Sequence, residues 1–349
     1  MKASNFGSAL LATAAALTTI TCLTGFAAVA AQANATHVQP APEGAPMPNR
    51  VSSRAPPLTA AKTALVEFST APFPYNGLVP GTRRPFLNVT DGRRRGHRTG
   101  GGTVYWQDAT YSDRRALLYL PRGFDARRPA LLVVFLHGNG ATLERDVRDR
   151  QQVPAQLAAS GINAALVAPQ LAVDAHDSSA GRFWEAGTFR KFLNEAAGHL
   201  AGLHGDRRTN ITFETAPVVI IAYSGGFVPA AWALRVGGAT RRVKGVVLLD
   251  ALYGEFDKYA DWIETQKSGF FVSAFTKSTG LGNTQLQQVL TQRHLPFDTQ
   301  MQFSLNNGSV TFLASDEQVT HQDFVTEAWS PNPIQDVLGR IQGYARKPQ

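Results

Sequence analysis

Short runs of apolar residues alternate with longer amphipathic stretches from about residue 63 onward. Two of these runs, Ala130–Leu136 (ALLVVFL) and Val218–Ala222 (VVIIA), contain no polar position. A strand is apolar on both sides when both faces of its sheet are covered, so these runs predict buried strands. Six further strands are predicted at Gly102–Trp106, Ala116–Leu120, Ala164–Val167, Val246–Leu249, Phe270–Ala274 and Val310–Leu313.

Helical periodicity fills the segments between these strands. One amphipathic helix is predicted over residues 185–204, where apolar residues recur at spacings of three and four. Others are predicted from the first buried strand to about Ala159, at Phe227–Leu234 and at about Pro333–Tyr344. Alternating strands and helices predict an α/β fold, with a mostly parallel central sheet and helices on both faces. The chemistry of such sheets lies at the carboxyl ends of the strands.

The first residues have the pattern of an export signal. Lys2 is followed by an uncharged Ala-, Leu- and Thr-rich stretch over residues 8–30, and Ala33-Asn34-Ala35 offers a small-x-small cleavage site. We therefore expect residues 1–35 to be a bacterial signal peptide, with the protein in the periplasm or the medium; a retained membrane anchor is the alternative. Residues 36–62 are a proline-rich lead-in, and residues 63–349 form the expected catalytic domain.

Composition removes several classes of protein. The only cysteine of the 349 residues, Cys22, lies in the predicted signal, which excludes a cysteine nucleophile, a disulfide framework and a Cys-ligated zinc site from the mature chain. The formal net charge is +8, and its densest cluster is Arg93-Arg94-Arg95 with Arg98. No aromatic interleaving accompanies this cluster, so an exposed arginine-rich loop is expected and no nucleic-acid partner. No metal-binding string occurs, and no metal or cofactor is predicted.

The strongest local signal is Ala222-Tyr223-Ser224-Gly225-Gly226, between the run VVIIA and a predicted helix. A sharp strand-to-helix turn needs small residues on both sides of its apex, and Ala222 and Gly226 supply them. The segment is the nucleophile elbow G-x-S-x-G with Ala in place of the first Gly, and here the chain resembles the α/β-hydrolase family. The resemblance implies that Ser224 is a nucleophile above the sheet edge.

A second motif, His137-Gly138-Asn139-Gly140, directly follows the run ALLVVFL. The family resemblance implies that this loop provides one backbone donor of an oxyanion hole and that the residue after the nucleophile provides the other. Asn139 and Gly225 are the predicted donors, with Gly138 as the near alternative, and His137 is expected to be structural. A dinucleotide-binding loop is disfavoured, because Leu143 occupies the third glycine position.

The base and the acid follow the serine in this fold. His321 comes after the last predicted strand, where the family has its base, whereas His176 precedes the elbow and His294 follows no strand. Asp250 ends the strand after the elbow and is the predicted acid; Asp316, in the same loop as His321, is the alternative. The family more often places its acid after the penultimate strand, but here Thr276 follows that strand.

The substrate is less well defined by the sequence. Trp184, Tyr223 and Tyr253 are candidates for an acyl or aryl pocket, although these aromatics would equally suit core packing. The stretch LYLPRGFDARRPALLVVFLHGNG resembles secreted polyester depolymerases and feruloyl or acetyl esterases. The resulting prediction is an exported serine hydrolase that cleaves small or polymeric carboxylic esters. An amidase or peptidase with the same triad and a noncatalytic periplasmic binding protein remain alternatives, and nothing in the sequence predicts an oligomeric state.

Overall fold

A computed structural model describes residues 55–346. Its strands are, in chain order, β1 (Lys62–Glu67), β2 (Val89–Asp91), β3 (Arg94–Arg98), β4 (Val104–Trp106), β5 (Arg115–Leu120), β6 (Leu131–Leu136), β7 (Ala164–Pro169), β8 (Val218–Tyr223), β9 (Val243–Leu249), β10 (Phe270–Phe275) and β11 (Val310–Ala314). The α-helices are α1 (Gln107–Thr110), α2 (Val153–Ala159), α3 (Thr188–His204), α4 (Asn210–Thr215), α5 (Phe227–Arg235), α6 (Phe256–Thr265), α7 (Lys277–Gln292) and α8 (Pro333–Gly339).

The central sheet has the strand order β1-β5-β7-β6-β8-β9-β10-β11. Strand β5 is antiparallel to both of its neighbours, and every pair from β7 to β11 is parallel. This order, with a reversed second strand and a sharp turn into a helix after β8, is that of the α/β-hydrolase fold. The predicted fold class is therefore confirmed.

Apolar side chains on alternate positions of the central strands belong to two separate cores. On β6, Leu132, Val134 and Leu136 join the core that α3, α5 and α6 cover. The alternate positions of β6, Leu131, Val133 and Phe135, join the core under α2 and α8. All six side chains are at most 1% exposed. This two-sided burial explains why β6 and β8 have continuous apolar sequences.

Two predicted helices differ in extent from the observed ones. The stretch predicted as one helix up to Ala159 is a π-helical segment at Leu143–Arg150 followed by α2. The break falls at Gln152, whose φ is 50°, just before Pro154, which lacks an amide hydrogen and cannot continue a preceding helix. At the other end of the chain, α8 stops at Gly339 because the chain then bridges back toward the sheet, pairing Ala345 with Ile162.

A small antiparallel sheet, β2-β3-β4, contains Arg94, Arg95 and Arg98 of the arginine cluster, and Arg93 lies in the turn before β3. The expected exposed loop is thus a strand, because residues 94–98 pair with strands on both sides. Strand β4 pairs with β3 and not with β5, so the strands predicted at Gly102–Trp106 and Ala116–Leu120 lie in different sheets. Arg94 bonds Asp108 at 2.8 Å and lies 4.8 Å from the ring centroid of Trp106. The cluster therefore has an aromatic neighbour, Trp106, that lies on the paired strand β4 and not next to the arginines in the sequence.

The predicted export signal and most of the predicted lead-in lie outside the described residues. Within residues 55–346, no helix is long and apolar enough to cross a membrane.

Candidate active site

Ser224 occupies a tight turn between β8 and α5. Its φ is 48°, a left-handed conformation that is uncommon for a residue with a side chain and typical of a strained functional turn. Small neighbours make the turn possible: a Cβ on Gly226 would lie 2.3 Å from the backbone oxygen of Leu136. The elbow therefore packs directly against the end of β6, and Ser224 remains 9% exposed.

The structure brings Ser224, His321 and Asp250 together in one hydrogen-bonded row. His321 Nε2 lies 2.8 Å from Ser224 Oγ, and His321 Nδ1 lies 2.6 Å from Asp250 Oδ2. Ser224 follows β8, Asp250 follows β9, and His321 lies in the connection between β11 and α8. All three sit at the carboxyl edge of the parallel strands, where this sheet architecture places its chemistry.

Asp250 is fully buried and surrounded by hydrogen-bond donors. Oδ1 accepts from the Thr276 N–H at 2.9 Å and from the Thr279 hydroxyl, while Oδ2 accepts from Thr276 Oγ1 at 2.8 Å and Ser278 Oγ at 2.9 Å. Burial alone would raise the pKa of this carboxyl, but the bonds from His321, Thr279 and Thr276 outweigh it and lower the pKa to about 2. Asp250 is thus an anion under all ordinary conditions.

The two alternatives to these residues are placed elsewhere. Asp316 is exposed, and among the described residues its carboxylate makes no hydrogen bond with His321. His294 is exposed as well. Thr276 occupies the place after the penultimate strand where the family more often has its acid, and here its amide and hydroxyl hold Asp250. The chain thus lacks an acid after the penultimate strand, and the residue at that place instead donates hydrogen bonds to the acid that follows β9.

The loop after β6 lies beside the elbow. His137 is buried and neutral, because burial lowers its pKa to about 4. Its Nε2 accepts from the Leu171 N–H at 2.9 Å, which leaves the proton on Nδ1 to donate to the Gly138 carbonyl at 2.8 Å. The predicted structural role of His137 agrees with these bonds, which fix the direction of the loop.

The two predicted oxyanion donors are close neighbours. A Cβ on Gly225 would lie 2.0 Å from Asn139 Oδ1, which itself accepts from Ser178 Oγ at 3.2 Å. Among the backbone hydrogen bonds that the described residues make outside helices and strands, none uses the N–H of Asn139. Both residues line the cavity above Ser224, whereas Gly138 packs against the Ser224 and Tyr223 side chains and does not line it. The geometry thus favours Asn139 over Gly138, and the assignment stays a prediction.

A cavity of about 660 Å³ opens over Ser224. One part of its wall is aromatic, formed by Phe227 and by Tyr253, which is 46% exposed. Another part carries polar side chains, namely Asn139, Arg150, His176, Ser178 and Gln322. Tyr223 and Tyr253 both line the cavity, and their contact with substrate stays a prediction.

Trp184 does not line this cavity. Its ring packs edge-on against Tyr75 and Phe86, with centroids 5.6 and 5.8 Å away. The predicted substrate contact at Trp184 is therefore corrected to a packing role in a third apolar cluster.

Tyr223 contacts the base as well as the cavity. Its hydroxyl donates to the His321 carbonyl at 2.8 Å, and its ring stacks on the imidazole with centroids 5.2 Å apart. Burial raises the pKa of the Tyr223 phenol, so the hydroxyl keeps its proton for this bond.

Several lining residues had no signal in the sequence. Arg150, Ser178 and Gln322 stand in no motif, and His176 was set aside because it precedes the elbow. His176 is exposed on the loop that follows β7 and reaches the cavity because its N–H bonds Tyr105 of the small sheet, at 3.1 Å from the hydroxyl. No group of three or more His, Cys, Asp or Glu residues in the described range could hold a metal ion.

Fold and site together define an α/β-hydrolase-fold protein with a Ser–His–Asp row at the carboxyl edge of its sheet. No protein-family model matches the sequence, and no curated protein matches it. Among solved structures, the chain is similar to a feruloyl esterase module from Clostridium thermocellum in complex with sinapinate, with 14% identity, 79% of this chain and 99% of that chain covered, and a TM-score of 0.45. It is also similar to an S-formylglutathione hydrolase from Agrobacterium tumefaciens, with 12% identity, coverage of 72% and 97%, and a TM-score of 0.41.

Proposed function

We propose that this protein is an exported serine hydrolase that cleaves carboxylic esters through Ser224, His321 and Asp250. The observation that carries the proposal is the continuous row of hydrogen bonds from Ser224 Oγ to His321 to the buried Asp250 carboxylate, at 2.8 and 2.6 Å. A nucleophile within hydrogen-bond reach of a base, with the base oriented by a third group, is the arrangement that nucleophilic catalysis requires.

Acylation starts with proton transfer from Ser224 to His321. Because Asp250 accepts the Nδ1 proton, His321 presents an unprotonated Nε2 to the serine hydroxyl. As Oγ attacks the ester carbonyl, Nε2 takes the hydroxyl proton, and the Asp250 anion stabilises the imidazolium that forms. The low pKa of Asp250 suits this role, because the carboxylate remains charged while the imidazole gains its proton.

The negative charge that develops on the carbonyl oxygen needs donors in place before the reaction. The N–H groups of Asn139 and Gly225 supply them in this proposal, and each such donor elsewhere is worth about 3–4 kcal/mol of transition-state stabilisation. His321 then protonates the leaving alcohol. Water, deprotonated by the same nitrogen, hydrolyses the acyl-enzyme and restores Ser224.

The choice of esters over amides follows the resemblance of residues 118–140 to esterases. Paired substrates decide it: turnover of a p-nitrophenyl ester should exceed turnover of the p-nitroanilide with the same acyl group by several orders of magnitude. Comparable rates on the two would favour the amidase alternative.

We also propose that the protein acts outside the cytoplasm. The support is the signal pattern of residues 1–35. Mass spectrometry of the protein recovered from its native compartment should give an N-terminus at Thr36. A full-length N-terminus in a membrane fraction would favour the retained anchor.

The direct test of the proposed function is Ser224→Ala. Loss of the nucleophile in a serine protease lowers turnover by about a millionfold, and we expect a comparable loss here. A fluorophosphonate probe should label the wild-type protein and not the variant, while circular dichroism shows that both are folded. Equal labelling of the two proteins, or no labelling of either, would contradict the proposal.

A further inference from the structure

The walls of the cavity over Ser224 differ in charge. Among the described residues that line the cavity, Arg150 is the one arginine or lysine, and none is an aspartate or glutamate. The triad carboxylate, Asp250, is fully buried behind His321. A bound substrate would therefore meet the Arg150 cation and the aromatic rings of Phe227 and Tyr253 within one cavity.

Arg150 is positioned by hydrogen bonds to two neighbouring residues. Its Nε donates to Asp146 Oδ1 at 3.0 Å, and its Nη1 lies 3.4 Å from the backbone oxygen of Gln322. Asp146 is 7% exposed and also accepts from Arg145 at 2.9 Å, and Arg145 pairs with Asp174 as well at 2.7 Å. The bond to Asp146 uses only Nε of Arg150, so it fixes the side chain without occupying the whole guanidinium group.

The guanidinium retains the capacity to bind a further group. No hydrogen bond joins Nη2 of Arg150 to any described residue, and the side chain is 47% exposed toward the cavity and solvent. Guanidinium groups favour carboxylates, whose two oxygens match the fork of N–H donors. The Gln322 contact also places Arg150 next to the residue that follows the base.

We infer that Arg150 forms a carboxylate-binding subsite, and that the preferred substrates are esters that carry a free carboxylate; this inference rests on the proposed function. Neutral esters of the same shape lack the partner for Arg150, and esters with a cationic group would be repelled. The net positive charge of the chain acts in the same direction, since it favours the approach of anions.

Matched ester pairs test this subsite. One pair places the carboxylate on the acyl side: p-nitrophenyl hydrogen adipate against p-nitrophenyl hexanoate. The other places it on the alcohol side: 3-acetoxybenzoate against phenyl acetate. For each pair, the measured quantity is kcat/KM for the carboxylated ester divided by kcat/KM for its neutral partner. In at least one pair this ratio should be about tenfold lower in Arg150→Gln than in the wild type, which is the scale of a hydrogen bond to a charged group. Arg150→Lys should retain part of the preference.

The ratio within each pair corrects for any effect of Arg150→Gln on the position of His321, because both esters use the same triad. Arg148→Gln is the matched control: Arg148 lies in the same π-helical segment, pairs with Asp149 at 2.7 Å and does not line the cavity, so its ratios should equal those of the wild type. Added salt should lower the wild-type ratio, since a half-exposed charge pair is screened.

Ratios that are unchanged in Arg150→Gln for both pairs, or that fall equally in Arg148→Gln, would overturn the subsite while leaving the proposed function intact. Failure of the wild-type protein to cleave any of the four esters would instead contradict the proposed function, and the subsite with it.

Discussion

Ser224 and His321 meet at 2.8 Å, yet the two segments that carry them are fixed by different means. The elbow is short and follows β8 directly, and the residues that shape it, Ala222 to Gly226, are adjacent in sequence. His321 lies in the connection over residues 315–332, which has no helix or strand of its own. The position of the nucleophile is therefore set by local backbone geometry, and that of the base must come from contacts with other parts of the fold.

Those contacts are hydrogen bonds to backbone carbonyls of the His321 loop. Tyr223 donates to His321 O at 2.8 Å, and the Gln156 side chain donates to Val325 O at 2.8 Å. Arg150 lies 3.4 Å from the intervening Gln322 O. On the imidazole itself, Asp250 accepts from Nδ1. Donors from distant positions thus replace the regular hydrogen bonding that a helix or strand would supply.

Among the groups that hold His321, Asp250 should have the largest effect when it is changed, in the variant Asp250→Asn. An amide in place of the acid favours the wrong imidazole tautomer, and the equivalent change in a serine protease lowers turnover by about ten thousandfold. We expect a loss of that order in kcat on an activated ester. Asp316→Asn should lose at most about tenfold, because Asp316 is exposed and does not bond His321.

Circular dichroism of both variants controls for folding. A more damaging Asp316→Asn would mean that the base takes its partner from its own loop, and that the bond to Asp250 is not the functional one.

The contrast between the two segments also explains which features could be predicted from the sequence. The elbow and the buried strands were accessible because their signals are local: small residues around Ser224, and apolar runs in strands covered on both faces. Asp250 could be selected because it ends such a strand. Strand β1 was missed because it is an edge strand with partly exposed positions. Strand β3 was missed because its five residues are three arginines, a histidine and a glycine, so it has no apolar run.

Contacts between residues far apart in sequence left no local signal. Tyr223 and His321 are 98 positions apart, and Arg150 and Gln322 are 172 apart. The sequence could therefore name the base but not what holds it, and it assigned Tyr223 to the substrate alone. Trp184 was assigned to the cavity for the same reason, since its partners Tyr75 and Phe86 lie about a hundred residues earlier in the chain.

The local character of the elbow predicts a strong effect of Gly226→Ala. The added Cβ would lie 2.3 Å from Leu136 O, so the turn must move away from the end of β6. We expect destabilisation of about 1–3 kcal/mol from overpacking. We also expect a loss of about a hundredfold in kcat, the scale for a displacement of about 1 Å at a reacting group.

Gly202→Ala in α3 is the matched control, because nothing lies within 4 Å of the added Cβ and alanine is the better helix former. Denaturant unfolding and kcat check both variants. Unchanged kcat in Gly226→Ala would show that the elbow tolerates displacement, so that local backbone geometry does not fix the nucleophile more rigidly than the His321 loop fixes the base.

The bond between Asp250 and His321 should also make stability depend on pH. The folded pKa of Asp250, about 2, lies below the ordinary value near 4, so its contribution is present above about pH 4 and is lost as pH falls toward 2. The full contribution is roughly 2–3 kcal/mol, of which about half is lost by pH 3. Urea unfolding of the wild type and of Asp250→Asn should show a stability difference at pH 6 that shrinks at pH 3. A difference that is constant with pH would contradict the buried, ionised state of Asp250.

The smallest effect should come from Tyr223→Phe, and it decides what Tyr223 does. The change removes the hydroxyl that bonds His321 O but keeps the ring that stacks on the imidazole, so we expect kcat to fall by about tenfold, the equivalent of one hydrogen bond, with KM unchanged. Tyr75→Phe removes a bond of the same kind, from a tyrosine hydroxyl to Leu78 O at 2.8 Å, away from the cavity, and should lower stability without changing kcat. If Tyr223→Phe instead raised KM and left kcat unchanged, Tyr223 would act on the substrate, as its place in the cavity wall also allows. In that case the backbone position of His321 would depend on the remaining donors alone.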